Sequence, residues 1–210
     1  MPTKLKRLKK TYGNREFYLL DVGAGNHSAT QLKKYFPNCK YYGIDISKDY
    51  NNDAEDFNLM ENFWEKDLTK LDFSDIPDGF FDALLMTHII EHLYNGELVV
   101  DALLNKVKTN GFIYLEYPSQ KSTRLPSKKG TLNFYDDDTH VRLYNINVLI
   151  DIIKSNGFTV LKFGARKDFA NIMTMPIRII ISKIKHGYVP GGVFWDLLGF
   201  AEFIWAKKKV

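Results

Sequence analysis

Short runs that are apolar along their whole length alternate with segments of helical spacing, and this alternation constrains the fold more than any other feature of the 210 residues. Residues 16–22, 40–46, 80–86, 112–117 and 158–163 each read as a strand buried on both faces. A weaker run lies at 63–65. Helical spacing fills 28–36, 97–108 and 145–156, with Ser28 as the expected cap of the first and Pro37 and Gly157 as stops. Asn110-Gly111 reads as a turn, and Pro118 ends the strand that follows it. Doubly buried strands separated by helices give an α/β architecture: a largely parallel sheet covered on both sides. Ligands of such sheets sit beyond the carboxyl ends of the strands. That rule directs attention to 21–28, 45–47, 67, 86–92 and 117–144.

Composition narrows the chemistry. Cys39 is the one cysteine, so neither an intrachain disulfide nor a cysteine-built metal site can form. The net charge is +4, yet five basic residues fall within 1–10 and Lys207, Lys208 and Lys209 add three, which leaves the rest mildly acidic. The blocks read as solvated tails: residues 1–14 as a basic N-terminal segment, 15–210 as one domain with an insert at about 167–195. Contact with an anionic membrane or a phosphorylated substrate is the alternative. DNA is not an expected partner, because the basic residues are not spread over the body. No apolar h-region follows the basic start. The longest nearly apolar stretch, 191–206, contains Asp196 and Glu202 and falls short of the ~20 residues of a spanning helix. A cytoplasmic protein, in contact with membrane at most peripherally, is expected.

Asp21-Val-Gly23-Ala-Gly25-Asn26 follows a strand and opens a helix. Glycine lets the backbone turn sharply there and lets a ligand lie against it. Asp45, at the next strand end, suits a carboxylate holding a ribose diol. A dinucleotide would bring its pyrophosphate beside Asp21, which repels it. The third glycine of the dinucleotide fingerprint is also replaced, by Ser28. With Asp67 and Asp82 adding to an acidic rim, a cationic nucleoside fits better.

Leu20-Asp-Val-Gly-Ala-Gly-Asn26, Gly43-Ile-Asp-Ile-Ser47, Lys66-Asp67-Leu68, Phe81-Asp-Ala-Leu-Leu-Met-Thr-His88 and Gly111-Phe-Ile-Tyr-Leu-Glu-Tyr-Pro118 resemble, in order and spacing, the class I S-adenosylmethionine-dependent methyltransferases. The resemblance spans roughly 15–165. His27 departs from it, standing where the loop usually carries its last glycine. It implies a doubly wound, mostly parallel, seven-stranded Rossmann-like sheet with one late antiparallel strand, for which 199–207 is the candidate. It implies S-adenosylmethionine as cofactor. By position, Asp21, Gly23 and Gly25 would line the methionine portion and Asp45 would bind the ribose, with Ile46 on the adenine. Asp67 and Leu68 would meet the adenine amino edge, and Thr87 and His88 would flank the methionine end.

A hydroxyl acceptor needs its proton removed, which suits a histidine. His88 and His140 are the catalytic candidates, with Glu91 and His92 nearby. His140 lies in Asp137-Asp-Thr-His-Val-Arg-Leu-Tyr144, and Arg142 could hold an anionic group or brace Asp137 or Asp138. His88-Ile-Ile-Glu91-His92 matches the H-x-x-E-H zinc-protease pattern. Its place after a buried strand favours a pocket floor, and no metal is assigned. Residues 171–186 mix isoleucine and methionine with Arg178, Lys183 and Lys185. They read as an amphipathic helix over the pocket, against lipid, or against a second subunit. The expected activity is O-methylation of a small molecule, a saccharide or lipid-linked precursor. The alternatives are a non-catalytic nucleoside-binding module and a nicotinamide-dependent reductase.

Overall fold

The computed structural model describes residues 1–210. In chain order the elements are α1 (Thr3–Tyr12), β1 (Phe17–Val22), α2 (Ser28–Lys33), β2 (Cys39–Asp45), α3 (Ala54–Asn58), β3 (Met60–Glu65), β4 (Phe81–Thr87) and α4 (Gly96–Leu104). There follow β5 (Val107–Pro118), α5 (Ile146–Ser155), β6 (Phe158–Ala165), α6 (Phe169–Met173), α7 (Met175–His186), α8 (Trp195–Leu198) and β7 (Ala201–Lys208).

The seven strands form one sheet in the order β3-β2-β1-β4-β5-β7-β6. Every pairing from β3 to β5 is parallel, and β7 runs antiparallel between β5 and β6. The apolar runs are explained by burial on both sides, except at the edge strand β6, where Leu161 and Phe163 are left exposed because no neighbour covers them. Leu20 and Val22 join a cluster of 26 buried residues with α4 and α5. Phe17 and Leu19, pointing the other way by the strand's period of two, join a cluster of 16 with α1 and α2. Chain order reverses direction between β1 and β4, and the crevice at that point is where such sheets bind ligands.

Three local expectations change. The helix expected over 97–108 ends at Leu104, because Val107 already pairs with Phe81 of β4. Asn110-Gly111 is therefore an irregularity inside β5, with Asn110 at φ +67°, rather than a turn before it. Ser28 does not cap α2: its hydroxyl donates to the Gly25 carbonyl, and His27 occupies the cap position in the left-handed region.

The basic ends are not solvated tails. Leu5, Leu8 and Tyr12 of α1 are buried, Tyr12 stacks on Phe17 at 4.2 Å, and its hydroxyl donates to the Asp82 carbonyl at 2.7 Å. Each fully buried side chain of this size contributes roughly 1.5–3 kcal/mol. The lysines lie between the apolar positions, and Lys6 pairs with Asp168 at 2.6 Å. At the other end Lys207 and Lys208 belong to β7, and Lys208 donates to the Val107 carbonyl at 2.8 Å. Helical spacing in a basic segment, not its charge, determined its placement.

Candidate functional site

The backbone leaves β1 through Gly23 (φ +84°), whose amide donates to the Ile44 carbonyl at 2.8 Å and so folds the turn over the end of β2. A Cβ at Gly23 would lie 2.0 Å from Ile89 Cδ1, and one at Gly25 2.4 Å from Tyr50 Cδ1. A side chain at either place would force Ile89 or Tyr50 to move, and at Gly23 the left-handed backbone disfavours one besides. His27 is left-handed at φ +56°, which accounts for a glycine being usual there. The histidine is held by its Nδ1 contact to Asp56 at 2.6 Å.

Between the turn and the ends of β2, β4 and the 67–69 loop opens a cleft of about 630 Å³. Gly23, Gly25, Asp45, Ile46, Asp67, Leu68, Thr87 and His88 all line it. Asp45 is half-buried. Burial raises its carboxyl, and amides of Ile46, Ser47 and Gly25 act against that rise. Ile46 is 68% exposed, an apolar side chain left uncovered on the cleft wall. Asp67 lines the cleft and also caps the turn Leu68–Lys70, accepting from the Thr69 amide at 3.0 Å and hydroxyl at 2.6 Å. These bonds hold its carboxyl below the ordinary range.

Asp21 is the exception among the expected cofactor residues. It is buried and absent from the cleft wall, since its strand position turns it toward the face covered by α1. Tyr41 donates to it at 2.7 Å, and burial raises its carboxyl despite nearby Lys4. The Lys4 ammonium donates to Thr87 Oγ1 at 3.0 Å, so α1 delivers a cation to the end of β4. Sequence inspection missed Lys4, whose only signal was its place in an amphipathic pattern. Tyr50 and Leu93 of the cleft wall lay outside the stretches the sequence singled out, and Lys66, Ile89 and Thr139 lay within them without a role.

His88 is wedged between two carboxylates, Nδ1 at 3.1 Å from Glu91 and Nε2 at 3.2 Å from Glu116. Burial opposes its charge, but the hydrogen bonds and charges of Glu116 and Glu91 prevail and raise its pKa to about 9. Glu116 also accepts from Arg166 at 3.1 Å and from Tyr114. Burial pulls its carboxyl upward, and His88, Arg166 and Tyr114 hold it at about 2. Both ring nitrogens of His88 are engaged by carboxylates, an arrangement that favours the imidazolium and opposes a general-base role. Trp195 of the insert approaches its ring at 5.0 Å and stacks on Phe200 at 4.5 Å, so aromatics pack against His88.

His140 does not line the cleft. It sits behind Thr139 and His92, its Nδ1 2.7 Å from the Phe134 carbonyl. Arg142 is spent on the Tyr94 carbonyl at 2.6 Å and Glu97 at 2.7 Å, not on Asp137 or Asp138. Residues 88–92 form no α-helix. His88 is left-handed at φ +57° and only Ile90–His92 make a 3-10 turn, so the two histidines do not share a helix face as a zinc protease of this pattern requires.

A family profile described as a methyltransferase domain matches residues 1–162. Among solved structures, a SAM-dependent methyltransferase from Archaeoglobus fulgidus is 24% identical, with 98% of this chain and 91% of that chain covered at a TM-score of 0.60. The YcgJ protein from Bacillus subtilis is 18% identical over 98% of both chains at 0.62. The phosphoethanolamine N-methyltransferase 2 of Haemonchus contortus, in complex with phosphomonomethylethanolamine and S-adenosylhomocysteine, is 16% identical at 0.67, over 99% of this chain and 52% of that one. A search of curated proteins gives no match. The strand order, the glycine turn over a cleft that holds Asp45 and Asp67, and the profile match over most of its length agree, and the chain belongs to the methyltransferase-domain family.

Proposed function

We propose that the protein transfers a methyl group from S-adenosylmethionine to a hydroxyl of a small molecule, a saccharide or lipid-linked precursor. The placing of Asp45 and the uncovered Ile46 beside the glycine turn carries the reading. A carboxylate next to an exposed apolar side chain suits a ribose diol and the base attached to it. Asp45 would take the ribose hydroxyls, Ile46 and Leu68 the adenine faces, and Asp67 its amino edge. Gly23 and Gly25 leave room for the methionine portion, which Thr87 and His88 flank. Asp21 acts from behind the turn.

The donor supplies a methyl group on a sulfonium centre that is open to in-line displacement. The chain contributes alignment and exclusion of water. The His88 imidazolium fixes the cleft floor through Glu91 and Glu116 and acts as a positioning residue. His140 acts through Thr139 and His92 rather than at the acceptor itself. His92 lines the cleft, with Nδ1 engaged by Thr139 and Nε2 without a partner in the protein.

Calorimetry tests the reading. S-Adenosylhomocysteine should bind, and Asp45→Ala should weaken it about ten- to a hundredfold, the loss expected for a charged hydrogen bond. Preference for NADH, or binding of neither, refutes the proposal. Donor-product binding without label transfer to any acceptor would identify the non-catalytic nucleoside-binding module instead.

The acceptor side is read as meeting an anionic lipid surface. Phe169, Met173, Ile177, Ile180, Ile181 and Ile184 are 56–82% exposed and stand at helical spacing along α6 and α7. Residues 169–195 contain no acidic side chain, while Arg178, Lys183 and Lys185 lie among the apolar ones. That charge suits anionic headgroups and disfavours a second copy of itself. No helix is long and apolar enough to cross a membrane. The protein should float with phosphatidylglycerol vesicles and not with phosphatidylcholine ones, and Ile180→Asp with Ile184→Asp should abolish flotation. Dimerisation through this face with no flotation refutes the lipid reading.

A further inference from the structure

The turn after β4 and the loop that carries Thr139 and His140 converge on one point. Val141 and Arg142 both donate their amides to the Glu91 carbonyl, at 2.8 and 3.2 Å, so the loop is pinned to the turn. Ligand atoms of Glu91, His92 and His140 lie within 4.8 Å of one another, and the two imidazole rings are 5.0 Å apart.

The hydrogen bonds fix both tautomers. The Phe134 carbonyl can only accept, so His140 Nδ1 carries the proton. The Thr139 hydroxyl donates to Asp137 at 2.5 Å, so it and the Thr139 carbonyl both accept from His92 Nδ1. In its neutral form each histidine keeps a lone pair on Nε2, and that of His140 faces the Asp137 carboxylate at 3.8 Å. Glu91 is 1% exposed and gives Oε1 to His88, while its Oε2 is buried without any hydrogen-bond partner. A buried carboxylate oxygen left bare costs about 1–3 kcal/mol or more, so its place beside two imidazole lone pairs requires a reason.

We infer that Glu91 Oε2, His92 Nε2 and His140 Nε2 bind a divalent transition-metal cation at the edge of the cleft. Two imidazoles and one carboxylate are a ligand set that keeps coordination positions open. Bonds of about 2.1 Å place tetrahedral ligands roughly 3.4 Å apart, so groups that now lie up to 4.8 Å apart would draw together by as much as about 1.4 Å on binding. Phe134, Thr139 and His88 then act as the outer partners that orient metal ligands. His92 and Thr139 line the cleft, so the open positions face it. This gives the site the chemistry to hold an acceptor oxygen, a use that rests on the methyl-transfer reading. The cluster of His27, Asp53 and Asp56 differs: Asp56 is occupied by Thr30, by the Asp53 amide and by His27 itself.

Chelator-treated protein titrated with Zn²⁺ by calorimetry, and with Co²⁺ by its visible absorption, tests the inference. One site per chain is expected. Glu91→Gln and His140→Ala should each weaken Zn²⁺ at least about a hundredfold, and Thr139→Val, which removes an outer partner, about ten- to a hundredfold. His27→Ala should leave the affinity unchanged. Circular dichroism and S-adenosylhomocysteine binding report whether each variant is folded. No saturable site, or equal affinity in wild type, Glu91→Gln and His140→Ala, overturns the inference. Tight Zn²⁺ binding without binding of S-adenosylhomocysteine keeps the metal site and refutes the methyl-transfer reading alone.

Discussion

Glu116→Gln tests how much the buried charge network under the cleft stabilises the fold. Glu116 is 5% exposed and faces His88, Arg166 and Tyr114. Its carboxyl titrates at about 2 instead of 4.5. At ~1.4 kcal/mol per tenfold change, that difference amounts to on the order of 3 kcal/mol of stability at neutral pH. The folded-state value is the depressed one, so the contribution is complete above pH 4.5 and is lost as the pH falls toward 2. Glutamine keeps the shape and removes the charge, leaving His88 with Glu91 alone and Arg166 with Asp196. Removing one partner of a buried ion pair costs a similar ~3–5 kcal/mol. Urea unfolding followed by circular dichroism at intervals from pH 6.5 to 3 should place the variant about 3 kcal/mol below wild type near pH 6. The gap should shrink below about pH 4.5, because the unfolded wild-type chain then takes up a proton that the folded carboxylate still refuses. A gap that stays constant over the whole range refutes the electrostatic account.

Leu8→Ala, at a fully buried position of α1, should cost about 2–5 kcal/mol in urea unfolding; a loss under ~0.5 kcal/mol would show that α1 is not docked in solution. Gly23→Ala should lose about 1–3 kcal/mol through its backbone conformation and displace Ile89, so S-adenosylhomocysteine affinity should fall with stability; wild-type affinity in calorimetry would contradict the close fit of the turn. Arg142→Ala breaks an exposed pair with Glu97 and should change stability by ~1 kcal/mol or less, with no change in acceptor KM. A raised KM for an anionic acceptor would show that Arg142 binds it.

The parallel sheet was legible because its strands are apolar on both faces, and that pattern needs no knowledge of partners. That Asp45, Ile46, Asp67 and Leu68 line one cleft was legible because strand ends and turn residues fix where such a cleft opens. Asp21 was misplaced in the cleft, since the direction its side chain takes from β1 is settled by pairing with β2 and β4 and by what α1 covers. The basic ends were misread for a related reason. Charge composition describes a solvated surface, but Leu5, Leu8 and Tyr12 find an apolar sheet face that only the folded chain provides.

Local pattern, then, determined the order of strands and helices, the glycine turn and the carboxylates beside it, because backbone periodicity and turn geometry act over a few residues. Tertiary structure alone decided what the histidines can do. His88 is a bound cation because Glu116, 28 residues away, reaches its second nitrogen. His92 and His140 lie side by side because a loop 48 residues further on is pinned to the Glu91 carbonyl. Protonation and ligation depend on which charges and lone pairs meet in space, and separation along the chain does not specify that.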